Sequence, residues 1–176
     1  MSMTNKAQRG FNLVEVLIAM ALLGVVLVSI VGLFYSGRRN VYSGKQMTQA
    51  VASGTRVMET VAPMDKSAMI AAFGLPTGVG SANPVAGVTY ANSFIRSTDD
   101  TSVDPRGYLT LWKNELLDNK KFAQGNITVV FTPTADPTNT PAQMGTATVV
   151  RVRTIVSWVE GRRNRTVTLD AVKVQR

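Results

Sequence analysis

The chain has 176 residues, with 19 Lys and Arg against 11 Asp and Glu, a formal charge of +8, and neither cysteine nor histidine. The missing cysteines exclude disulfides and thiolate metal sites, and the missing histidines remove the commonest general base and metal ligand. That length suits one ordinary domain plus an anchor, and the basic balance suits nucleic acid, lipid headgroups, acidic partners or plain solubility.

Met1–Gly10 is short, polar and basic, carries Lys6 and Arg9, and has no apolar core of its own. The apolar run follows it. Val16 to Tyr35 holds no charged residue and matches the ~20 residues that cross a bilayer as a helix. It is longer than the apolar core of a secretory signal, about 7–15 residues. Phe34-Tyr35-Ser36-Gly37 offers no small-residue cleavage site, so the span is expected to be retained. Lys6 and Arg9 precede it and Arg38 and Arg39 follow it, so the charge bias leaves orientation open. One acid, Glu15, stands at the mouth of the run. A carboxylate at bilayer depth costs about 3 kcal/mol or more unless it is paired, which makes Glu15 a functional candidate. Snorkelling of Glu15 to the headgroups is the structural alternative.

Gly24 and Gly32 interrupt the span. They are read as points of helix flexibility, or as transmembrane glycines that allow close helix packing. From Ser36 onward the pattern turns amphipathic. Met47, Ala50, Val51, Gly54, Val57, Met58 and Val61 fall on one helical stripe, with Lys45, Gln49, Arg56 and Glu59 away from it. Pro63 supplies the stop. The reading is one helix from Phe11 to Val61, roughly 75 Å long at 1.5 Å per residue, whose second half packs on a sheet.

Met64 to Gly107 is rich in Gly, Pro, Ser, Thr, Asn and Asp and reads as loop, with a short helix over Ser67–Phe73 ended by Gly74 and Pro76. Asp99, Asp100 and Asp104 cluster there between Arg96 and Arg106, either as a solvated turn or as calcium ligands, though the spacing is no EF-hand. Tyr108–Trp112 is a short apolar segment, and Glu115–Phe122 a helical turn ended by Gly125. The period then becomes two. Ile127, Val129 and Phe131 form a half-buried strand stopped by Pro133. Thr146–Val159 is the longest strand, with Val150, Val152, Val156 and Trp158 on one face and Arg151, Arg153 and Ser157 on the other. Glu160–Asn164 is a hairpin turn, and Arg165–Val174 returns with Val167, Leu169 and Ala171 inward. Val172 and Val174 break that parity, which predicts a bulge or the end of the sheet near Ala171.

The order Arg9-Gly10-Phe11-Asn12-Leu13-Val14-Glu15 before a long apolar helix resembles the class III signal of type IV pilins and pseudopilins. The resemblance implies cleavage between Gly10 and Phe11 by prepilin peptidase, N-methylation of Phe11, and an assembly or registry role for Glu15. Glu15 would pair with the new Phe11 amine of an incoming subunit. Gly32 stands where many pilins have a proline, and Thr154–Trp158 with Gly161–Leu169 is similar to the closing hairpin of V-type minor pilins and I-type minor pseudopilins. The expected fold is α+β, the type IV pilin fold, with a long N-terminal helix on a three-stranded antiparallel sheet. Its parts would be a leader over 1–10, a transmembrane and assembly helix over 11–35, and an extracytoplasmic head over 36–176. The head would comprise an amphipathic helix over 36–62, a variable loop region over 63–125 and a β-meander over 126–174.

The function implied is a structural subunit, a minor pilin of a type IV pilus or alternatively a minor pseudopilin of type II secretion. It is not an enzyme, and no cofactor or metal is expected. Its partners would be prepilin peptidase, other pilins or pseudopilins in a helical filament, and an inner-membrane assembly platform. Before assembly it would cross the bacterial inner membrane once, N-terminus in the cytoplasm; afterwards it would lie in a periplasmic or extracellular filament. A second reading is a binding module on such a fibre. Arg151, Arg153, Arg162, Arg163 and Arg165 would form a basic patch for nucleic acid, with salt-dependent affinity; a solvated sheet face accounts for the same residues. A third is a single-pass membrane protein unrelated to filaments, which leaves Gly10, Phe11 and Glu15 unexplained.

Overall fold

The computed structural model describes residues 12–78, 93–118, 124–135 and 142–174. Three helices and four strands follow in the order α1 (Leu13–Val61), α2 (Lys66–Phe73), β1 (Phe94–Ser97), α3 (Tyr108–Asp118), β2 (Gly125–Thr134), β3 (Val149–Glu160) and β4 (Arg163–Val174). The chain divides into two compact units, one ending at Ser43 and one starting at Gly44.

In the first unit α1 continues through Gly24 and Gly32 without a break, and a side chain at either position would meet only open space. Every described residue from Asn12 to Tyr42 is exposed, including the whole apolar run.

The second unit is an antiparallel sheet in the order β1-β2-β3-β4, with helices packed on one face. The stripe that α1 buries here is Gln46, Ala50, Ser53, Gly54, Val57 and Val61. It differs from the expected stripe, because Met47 is 56% exposed and Val51 38% exposed. Small residues decide the difference. A Cβ on Gly54 would lie 2.5 Å from Leu169 Cδ1 and 3.4 Å from Val156 Cγ2, so the helix meets the sheet where its side chains are smallest. Phe73 of α2 then sits among Phe131 of β2 and Tyr108 and Trp112 of α3, with ring centroids 4.9, 5.9 and 5.9 Å away. Met69, Leu109, Leu116, Ile127, Val129, Val150 and Val156 complete this core.

The sheet has four strands, not three. Phe94–Ser97 pairs with Thr128–Phe131, inside the region expected to be loop. A four-residue strand is too short to display a period of two. The same region contains α3, which joins Tyr108–Trp112 and the start of the expected helical turn into one helix.

Pro133 does not stop β2, which pairs through it to Thr134. Ile127 turns its N–H and C=O toward Thr98 on the β1 side, and Pro133 shares that orientation but lies beyond the last pair, Phe94↔Phe131. Its missing N–H therefore costs no ladder bond. Nor is there a bulge at Ala171. The β3–β4 register runs unbroken from Glu160↔Arg163 to Val149↔Val174, and Val172 and Val174 lie exposed on the far face of an edge strand.

Candidate assembly segment and its neighbours

Asn12 opens α1. Its carbonyl accepts the N–H of Glu15 at 2.8 Å and that of Val16 at 3.3 Å, which closes the first turn. Glu15 is the acid of that turn, where a carboxylate is favoured by the unpaired N–H groups of a helix start. Ala19, one turn on, leaves a shallow recess bounded by Glu15, Val16, Met20 and Leu23. Among the described residues nothing hydrogen-bonds or ion-pairs with the Glu15 carboxylate, and it is exposed. Gly10 and Phe11, the expected processing and methylation positions, lie outside the described residues.

Chemically, this segment presents a single acid in an apolar stretch of helix. The helix is long and apolar enough to cross a membrane, and none of its apolar window is buried within the chain. Such a surface is satisfied by lipid or by other helices, and an acid at that depth is costly unless it is paired or reaches the headgroups.

The five arginines expected to form a basic patch are not brought together. Register places Arg151 and Arg153 on the sheet face away from α1, and Arg163 and Arg165 on the face shared with Trp158. Two of them are engaged by acids. Arg153 grips Asp170 through Nε at 2.6 Å and Nη2 at 3.0 Å, and Arg165 Nε meets Glu160 at 2.9 Å. Arg162 lies in the turn and, with Arg163, is exposed.

The three aspartates of the loop region likewise face separate partners. Asp99 accepts from Asn126 at 2.7 Å, Asp100 from the Ser102 N–H and hydroxyl at 3.1 and 2.6 Å, and Asp104 from the Thr110 N–H and hydroxyl at 2.8 and 2.9 Å. The Ser102 bonds, helped by Arg96, hold the Asp100 carboxyl below its ordinary range. Among the described residues no three acids converge on a point where a cation would sit.

What periodicity did not reveal is a set of cations that clamp backbone carbonyls. Arg96 donates through Nε to Phe73 O and through Nη2 to Gly74 O, both at 2.7 Å, at the end of α2. Burial pushes its guanidinium below the ordinary value, partly offset by Asp100. Lys66 reaches Gly145 O at 2.9 Å and Ala147 O at 3.1 Å. Lys173 donates to Ala62 O at 2.7 Å and to Met64 O just past the end of α1. Part of the positive charge thus holds helix ends and loops in place.

A long apolar N-terminal helix with an acid in its first turn, followed by an antiparallel sheet packed against helices, is consistent with the type IV pilin fold. Residues 5–31 match the family model of the prokaryotic N-terminal methylation motif. The match covers Gly10, Phe11, Glu15 and most of the apolar run, and with it the chain carries the class III signal, consistent with type IV pilins and pseudopilins. The motif supports a type IV pilin- or pseudopilin-like protein. No curated protein and no solved structure matches the chain.

Proposed function

We propose that the chain is a minor pilin of a type IV pilus. It is cut between Gly10 and Phe11 by prepilin peptidase, methylated at Phe11 and assembled through α1 into a filament with other pilins. The observation that carries this reading is the methylation motif over residues 5–31 ending in a helix whose apolar surface is wholly unburied. In the membrane the subunit waits as a single-pass protein, head outside. In the fibre the same apolar surface packs on neighbouring helices, and Glu15 pairs with the Phe11 amine of an adjoining subunit. Pairing removes the desolvation cost that either charge alone would carry in a dry core.

The test is an N-terminal mass measurement on chain extracted from membranes, followed by deletion of its gene. A mature start at methylated Phe11, with loss or change of surface pili on deletion, is the expected result. An intact leader overturns the reading.

A minor pseudopilin of type II secretion is the second reading. The β3–β4 hairpin, with Trp158 on β3 and Gly161 at φ 63 in the turn, supports both readings, because the closing-hairpin resemblance is shared by V-type minor pilins and I-type minor pseudopilins. Deletion would then stop secretion and leave pili unchanged.

A further inference from the structure

The sheet has two edges, and they are built differently. On β1 the outward carbonyls are occupied: Ile95 O accepts from Arg96 Nη1 at 2.9 Å, and Ser97 O from the Asp100 N–H at 3.1 Å. Capping an edge in this way is how proteins prevent unwanted strand pairing. β4 has no such protection. Ile127 turns its backbone groups to the β1 side, so strict alternation sends the odd residues of β4 to β3 and the even ones outward. Asn164, Thr166, Thr168, Asp170, Val172 and Val174 therefore offer their N–H and C=O groups outward, and among the described residues no backbone hydrogen bond meets them. The strand contains no Pro, Gly or bulge over its 12 residues. Val172 and Val174 are 59% and 65% exposed on it. Beside them, on the α1 side, opens a mostly apolar groove of about 290 Å³ between Met58, Val61, Ala62, Val152, Ala171 and Val172.

We propose that the open edge of β4 accepts an extended, acidic segment of another protein as a fifth, antiparallel strand. Charge selects the occupant. In a two-fold pairing of β4 with a second copy centred on Thr168, Arg163 opposes Lys173; centred on Leu169, Arg165 opposes Lys173; centred on Asp170, that acid opposes itself. A pairing centred on Val167 leaves Val172 to Val174 beyond the ladder. Like charges directly opposite destabilise a strand pair. A foreign strand running antiparallel would instead set carboxylates at its C-terminal end against the exposed Arg162 and Arg163. An apolar residue at its N-terminal end would enter the groove by Val172. Main-chain bonds then supply affinity, and the groove and arginines supply selectivity.

The test uses the full chain in detergent micelles and a ten-residue synthetic peptide of alternating valine and threonine ending in two glutamates. Binding should be roughly fivefold tighter than that of the same peptide with lysines for glutamates, the range expected for exposed ion pairs. It should weaken in Val172→Lys, and vanish for a peptide N-methylated at every residue, which has no N–H on either edge to form a ladder. Thr168→Pro removes an outward N–H without touching the β3–β4 ladder and should also weaken binding; circular dichroism reports whether its sheet persists, and Val172→Lys decides if it does not. No binding, equal binding of the lysine peptide, or undiminished binding of the N-methylated peptide overturns the proposal. So does a dimer of the unmodified chain that Val172→Lys abolishes, which would make the occupant a second copy.

Discussion

Gly54 of α1 faces Leu169 of β4 so closely that a methyl group on the glycine would stand 2.5 Å from Leu169 Cδ1. The contact joins the helix to the outermost strand, alongside the ladder to β3 and the Lys173 bond to Ala62 O. Gly54→Ala should lower stability by about 1 kcal/mol, because a terminal methyl can swing aside, and Gly54→Val by about 3 kcal/mol, because Val156 also stands close. Urea unfolding of the full chain in detergent, followed by the buried Trp112 and Trp158, measures both. Adding Leu169→Ala should recover part of the loss. Strict additivity in the double variant would show that the crowding lies elsewhere.

Arg96 joins β1 to the end of α2 by two bonds to consecutive carbonyls, Phe73 O and Gly74 O. Gly74 adopts the left-handed conformation, φ 56 and ψ 40, that ends the helix. Arg96→Met should cost about 2 kcal/mol, since it leaves two half-buried acceptors without their donor. Arg96→Lys should fall between the two, because an ammonium lacks the planar fork that meets both carbonyls at once. The same unfolding measurement ranks them, and a lysine variant as stable as the parent would refute the two-point clamp.

The elements with strong periods are legible in the order of residues alone. The apolar run, the amphipathic helix and the β3–β4 hairpin all declare themselves by spacing. β1 does not, because Phe94–Ser97 is four residues long and pairs with residues 31 to 37 positions further along the chain. The α1 stripe is displaced because contact is set by the small residues Ala50, Ser53 and Gly54, whereas a hydrophobicity pattern weights Met47 and Val51. The arginines separate for a geometric reason. The turn pairs Glu160 with Arg163, so odd positions on β3 share a face with even positions on β4. Arg151 and Arg153 therefore turn away from Arg163 and Arg165. At the N-terminus the order of Gly10, Phe11 and Glu15 is legible by itself, because the methylation motif over residues 5–31 is a linear run of residues that needs no fold to display it.

Acid should weaken the fold through two aspartates. Asp65 accepts the Ala68 N–H at 2.6 Å and the Ser67 hydroxyl at 2.9 Å, which holds it below the ordinary 3.8. Asp100 is held below that value by Ser102. Both are depressed in the folded chain, so the unfolded chain binds protons more readily. Their stabilisation is complete above about pH 4 and disappears as pH falls through the lower folded values. The thermal midpoint should thus be flat near neutrality and drop on the acid side. Asp65→Asn with Asp100→Asn should flatten that drop, and an unchanged acid limb in the double variant would assign the loss to other carboxylates.

Glu15 stands alone in the first turn of α1, exposed, with no other charged residue after it until Arg38. A helix start already favours the carboxylate, so its presence does not require a partner within the chain. In a packed filament it would. If the partner is the amine that cleavage creates at Phe11, Glu15→Ala leaves that cation uncompensated in a dry core. The cost is about 3 kcal/mol, on the order of a hundredfold in incorporation. Processing should be unaffected, because the proposed cut lies between Gly10 and Phe11 and does not involve Glu15. The measurement is a pair of assays on Glu15→Ala in cells: the N-terminal mass of the membrane-bound chain, and the amount recovered in sheared filaments. A mature Phe11 start with scarce filament incorporation is the expected outcome. Normal incorporation would remove the pairing role, and an uncleaved chain would move the function of Glu15 from assembly to recognition by the peptidase.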